Sequence, residues 1–135
     1  MEDLTKTRAQ DKVYIRYIVN DVKESIDFYT QFLGFTVKMQ PQGSGFATLE
    51  SGSLYLLLNT PGKGGAGQTL SDGSVPAPGG WNRIQLRVDD LEQKIKELDA
   101  MNAPFRNEMI KGNGGAQILL TDPSGNLIEL FESYR

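Results

Sequence analysis

The sequence contains neither histidine nor cysteine, and that absence excludes more function classes than any residue present suggests. Disulfide staples, thiolate nucleophiles, Ser-His-Asp and Cys-His catalysis, zinc fingers and every histidine-based metal site are ruled out. Acid–base chemistry is left to carboxylates, lysine, tyrosine or water. No apolar run approaches the ~18–20 residues that span a bilayer, and the charged stretch Met1 to Lys12 lacks a basic-then-apolar leader pattern. The expectation is a cytoplasmic chain with a loose tail over residues 1–12 and no membrane partner. Large basic clusters are missing as well. With 14 Lys and Arg against 17 Asp and Glu, the net charge is −3, which argues against a nucleic-acid partner.

What the chain does have is a globular balance. Its 135 residues are 39% hydrophobic and 23% charged, enough to bury a core in one domain or in two small modules. Two segments repeat the same order of signals about 69 residues apart. The first runs from Val13 to Val19 in alternation, passes Asn20-Asp21-Val22, and continues as an amphipathic stretch to Gly34. The second runs from Arg83 to Val88, passes Asp89-Asp90-Leu91, and continues to about Ala103. Alternation predicts a strand in each case. Val22, Ile26, Tyr29 and Leu33, and then Leu91, Ile95 and Leu98, fall at helical spacing. Asp21 with Glu24 and Asp90 with Gln93 supply N-terminal capping pairs, while Gly34 and Pro104 punctuate the ends.

Three short strands are expected after each helix: 35–39, 46–50 and 54–59, then 105–110, 116–121 and 126–131. The predicted architecture is α+β, two βαβββ modules over residues 13–60 and 81–135. Residues 61–80 join them, and ten of those twenty residues are glycine or proline. That segment reads either as a binding loop or as a plain tether. Within it, the string from Gly62 to Thr69 approaches a phosphate-cradling loop but lacks the lysine at its key place and the helix that should follow.

The order of these signals resembles the vicinal oxygen chelate superfamily of glyoxalases, bleomycin-resistance proteins and extradiol dioxygenases. The carrying residues are Asn20-Asp21-Val22, Phe28-Tyr29 and Leu33-Gly34-Phe35, then Val88-Asp89-Asp90-Leu91, and the ending from Asp122-Pro123-Ser124-Gly125-Asn126 through Glu129 to Phe131. The resemblance implies a curved mixed sheet around a shared concave pocket, and a homodimer. It also implies that metal-dependent members take one ligand from the first strand and one from the last strand of each module. Carried over, those places are Tyr14, Leu56, Arg83 and Glu129, of which only Glu129 keeps a ligand type. No metal and no cofactor are therefore expected.

Strand alternation assigns the pocket wall. Ile15, Tyr17 and Val19 should pack under the first helix, and Ile84, Leu86 and Val88 under the second. This leaves Tyr14, Arg16, Arg83, Gln85 and Arg87 facing the pocket, with Leu54, Leu56 and Leu58, and with Gln117, Leu119, Thr121, Leu127, Glu129 and Phe131. The arginines would hold an acidic group or polarise a carbonyl; alternatively Arg83 pairs with Glu129 and does nothing else. Trp81 either stacks on a planar ligand or anchors the loop at the core margin. Two functions stay open on this basis. One is the binding of a small organic molecule, in the manner of antibiotic-sequestering members. The other is a lyase or isomerase with Glu129 as base and Arg83 or Tyr14 stabilising an oxyanion.

Overall fold

The computed structural model describes residues 12–43, 45–63 and 65–135, so the expected tail lies outside the described residues except for Lys12. The chain forms two compact units, one extending to Pro76 and the other Ala77–Arg135. The first holds β1 (Val13–Ile18), α1 (Val22–Leu33), β2 (Thr36–Met39), β3 (Phe46–Ser51) and β4 (Leu54–Asn59). The second holds β5 (Ile84–Arg87), α2 (Leu91–Ala100), β6 (Ile110–Lys111), β7 (Gly115–Thr121) and β8 (Leu127–Ser133). Each unit has a four-stranded mixed sheet, ordered β1-β4-β3-β2 and β5-β8-β7-β6. The twofold strand–helix–three-strand reading is thus the observed one, and both halves use the same strand order.

The caps form as the sequence requires. Asp21 Oδ1 accepts the Glu24 N–H at 2.9 Å and Asp90 Oδ1 accepts the Gln93 N–H at 3.0 Å, satisfying one orphan donor at each helix start. Gly34 ends α1 at φ 71°, in the left-handed region that glycine enters without a Cβ penalty. In the second unit the helix stops at Ala100, and Asn102 takes the left-handed conformation at φ 60°, as asparagine tolerates.

Both helices bury one stripe against one face of their sheet. In the first unit Ile26, Phe28 and Tyr29 are buried with Phe35, Leu49, Leu56 and Leu58, and the Tyr29 and Phe35 rings meet edge-on at 5.6 Å. In the second, Leu91 and Leu98 are buried with Ile118, Leu120, Ile128 and Leu130. Side chains of this size contribute about 1.5–3 kcal/mol each when fully buried.

Register corrects one expectation. β1 runs parallel to β4 with Tyr14 beside Tyr55, Arg16 beside Leu57 and Ile18 beside Asn59. Paired residues share a face, so Leu56 belongs with Ile15 on the helix side, where it is fully buried. The face of Tyr14 and Arg16 is completed by Tyr55, Leu57 and Asn59 instead of Leu54, Leu56 and Leu58. The cause lies in composition: a near-continuous apolar strand carries no alternation to read.

β6 is also shorter than expected. Only Ile110–Lys111 pairs regularly with β7, and Phe105 makes an isolated bridge to Leu120. Between them the Asn107 side chain takes a ladder position, its Oδ1 accepting the Leu119 N–H at 2.9 Å. A side-chain acceptor replacing a backbone carbonyl interrupts the strand.

Candidate functional site

In the second unit the face turned away from α2 carries a connected polar network. Gln85 pairs with Glu129, and Arg87 with Phe131, across β5 and β8, while Leu119 pairs with Glu129 across β7 and β8. Glu129 is 7% exposed, so its carboxylate needs partners to offset lost hydration. It has them on both oxygens. Arg83 reaches Oε1 with Nε at 2.9 Å and Nη2 at 2.8 Å, and Gln85 Nε2 donates to Oε2. The chain continues outward, because Gln85 Oε1 accepts from Arg87 Nε at 2.6 Å. The Arg87 guanidinium lies 4.7 Å from the centre of the Phe131 ring.

Trp81 closes the other end of this network. Its carbonyl accepts from Arg83 Nη1 at 3.2 Å, and its side chain is 65% exposed, which removes the core-anchor reading. The segment that carries it is tied down by the turn between β7 and β8. Asn126 Oδ1 accepts the Gly79 N–H at 2.8 Å. Buried Asp122 in turn receives the Ser124 and Asn126 N–H groups at 2.9 Å each, and Asn126 Nδ2 at 3.1 Å. The aspartate caps a turn, as its Asp-Pro-Ser-Gly setting suggests.

Arg106 escaped the sequence reading. Its N–H donates to the Leu119 carbonyl at 2.8 Å, which seats it beside a residue of the same face, and its guanidinium lies 5.0 Å from the Trp81 ring centre. Only the pairing of 105–107 with β7 reveals this, since the segment itself alternates poorly.

Tyr14 and Arg16 belong to the first unit. Tyr14 is 52% exposed and its ring lies 4.9 Å from that of Tyr55. Arg16 Nη1 donates to Asn59 Oδ1, and Asn59 is 3% exposed. On the same face Lys12 Nζ reaches Glu50 Oε2 at 3.1 Å and lies 4.9 Å from the Tyr55 ring centre. The Lys12 hydrogen bond holds the Glu50 carboxyl below its usual range, against a smaller upward push from desolvation.

The matched registers also relocate one inferred ligand place. Arg16 and Gln85 correspond in the repeat, and they pair with Leu57 and Glu129. The four places are therefore Tyr14, Leu57, Arg83 and Glu129. A leucine, a permanent cation and a carboxylate already held by two donors do not suit a divalent ion. Among the described residues no three acid side chains converge on a common point. A separate hollow of about 460 Å³ opens on the α2 side of the sheet, over Ile95, Phe105, Met109 and Ile118, and shares none of the network's polar groups.

Residues 13–130 match the model of the Glyoxalase/Bleomycin resistance protein/Dioxygenase superfamily. No curated protein is matched. Solved structures share the fold. A superfamily member from Sphaerobacter thermophilus is 25% identical at TM-score 0.71, covering 90% of this chain and 96% of its own. Lactoylglutathione lyase from Agrobacterium tumefaciens is 18% identical at TM-score 0.70, over 89% and 91%. An antibiotic-binding protein from a Streptomyces species is 21% identical at TM-score 0.66, over 90% and 94%.

Proposed function

Because the chain belongs to the Glyoxalase/Bleomycin resistance protein/Dioxygenase superfamily, we propose that it is a metal-free member that binds a small organic molecule. The ligand contacts of the second unit are Trp81, Arg83, Gln85, Arg87 and Glu129; Tyr14 and Arg16 on the first unit's sheet belong to the same reading. One observation carries it: the Glu129 carboxylate, the sole ligand-type side chain of the four inherited places, is engaged on both oxygens by Arg83 and Gln85. With both oxygens already accepting from Arg83 and Gln85, the carboxylate is not left free to take a substrate proton, which favours binding over proton abstraction. The antibiotic-binding relative supports sequestration as the mode. A cytoplasmic homodimer is part of this reading, and light scattering tests its dimeric state.

The direct test joins metal analysis of protein purified without added metal to a thermal-shift screen against antibiotics, planar aromatics and α-keto acids. A binder is stabilised by RT ln(1 + [L]/Kd), so one class should raise Tm with dose while metal stays far below one ion per chain. A stoichiometric divalent ion whose removal lowers Tm would overturn the reading. Turnover of methylglyoxal–thiol adducts, abolished by Glu129→Gln with the fold retained, would replace it with the enzymatic one.

A further inference from the structure

Resting on the small-ligand reading above, we propose that the second unit's site selects a planar organic anion, an aromatic carboxylate or sulfonate. Arg87 and Arg106 meet its charge and Trp81 meets its ring. Arg83, Arg87 and Arg106 gather around this network with the single carboxylate of Glu129, and that carboxylate is taken by Arg83. Among the described residues no acid lies within ion-pair distance of Arg87 or Arg106. A chain of net charge −3 thus leaves two cations without an acid partner on one face of the second unit's sheet, a local field that attracts anions and repels amines.

Arg87 lies against Phe131 and Arg106 against Trp81, at 4.7 and 5.0 Å from the ring centres. A guanidinium stacked on a ring keeps its N–H donors at its edge, where a planar oxyanion is received. Arg87 spends only Nε, and on the neutral amide of Gln85. Trp81, 65% exposed, adds a flat apolar surface beside the Arg106 donors, and aromatic ligands gain from such offset stacking. Both arginines are exposed, so neither is needed for the core.

The experiment compares 2-naphthoate with its neutral isostere 2-naphthamide by titration calorimetry on the full chain, wild type and the R87M and R106M variants. Hydrogen bonds to a charged partner should favour the carboxylate by about tenfold or more, and each variant should remove most of that preference. Trp81 is the one tryptophan, so its fluorescence reads the field without a ligand. Iodide should quench it more than caesium does, relative to acrylamide, and Arg106→Met should level the two. Equal affinity for naphthoate and naphthamide would overturn the anion assignment and leave the small-ligand reading standing. Binding of neither, with no preference for iodide, would overturn both.

Discussion

Gln85 stands directly across from Glu129 and is oriented by charges on either side. Its Nε2 donates to the carboxylate while its Oε1 accepts from Arg87. An amide presents a donor and an acceptor on separate atoms and so can serve both neighbours at once. Gln85→Leu should therefore cost about 1–3 kcal/mol through the donor lost to a buried carboxylate, measured by urea unfolding. Gln85→Glu should cost more, because it places two carboxylates side by side.

Arg83 and Glu129 form a pair in which the acid is the more buried partner, 9% against 27% side-chain exposure. Arg83→Met should destabilise by about 2–3 kcal/mol, since one charged hydrogen-bonded donor set is lost from a buried acid. Adding Glu129→Leu should recover much of that loss, because an apolar replacement of both partners removes the desolvation cost. Chemical denaturation of the two single variants and the double variant closes the cycle; a double variant as unstable as the two losses summed would contradict the pairing.

Glu50 sets a pH dependence whose sign follows from Lys12. With its folded-state pKa lowered, the group favours the folded chain at pH values above its unfolded value of about 4.5. That contribution is lost as pH falls through the folded value. Lys12→Met should raise the Glu50 titration midpoint toward 4.5 and soften the acid limb of the stability curve. Side-chain NMR titration reads the midpoint directly.

The turn that holds Gly79 should be sensitive at Asp122, which is 3% exposed. Asp122→Ala strips acceptors from the Ser124 and Asn126 N–H groups and should cost about 2–4 kcal/mol on the scale of buried unsatisfied donors. Trp81 emission should shift with it, because Asn126 then no longer fixes the segment leading into that residue.

Two glycines should respond to alanine for different reasons. At Gly115 a Cβ would stand 2.2 Å from the Glu132 carbonyl and 2.6 Å from the Phe131 ring, so β7 and β8 must part there, at about 1–3 kcal/mol. Gly34 has open space around it but φ 71°, so its cost is conformational, about 1–2 kcal/mol. Thermal unfolding of both variants checks the order.

The sequence was most legible where local chemistry is sufficient. Asp21, Asp90 and Gly34 announce helix ends because each satisfies a backbone group within a few residues. Alternation in 83–88 was readable because arginine and glutamine separate the apolar positions, and Arg83, Gln85 and Arg87 do share the face of Glu129. Leu54 to Leu58 offered no such contrast, so the side on which Leu56 falls depended on its partner strand. Arg106 was invisible for a related reason: its place is decided by the Leu119 carbonyl, and nothing in its neighbours encodes that bond.

The two sheets are each assembled from strands of one continuous stretch, β1 to β4 and then β5 to β8. During synthesis, a nascent chain that has emerged through Asn59 already presents all four strands of its first sheet, before Ile84 has been made. The edge partner of β1 is the last of those four to arrive. The ribosome therefore delivers the strands of one ladder ahead of the other, and within each half the return of the final strand to the first closes the longest loop.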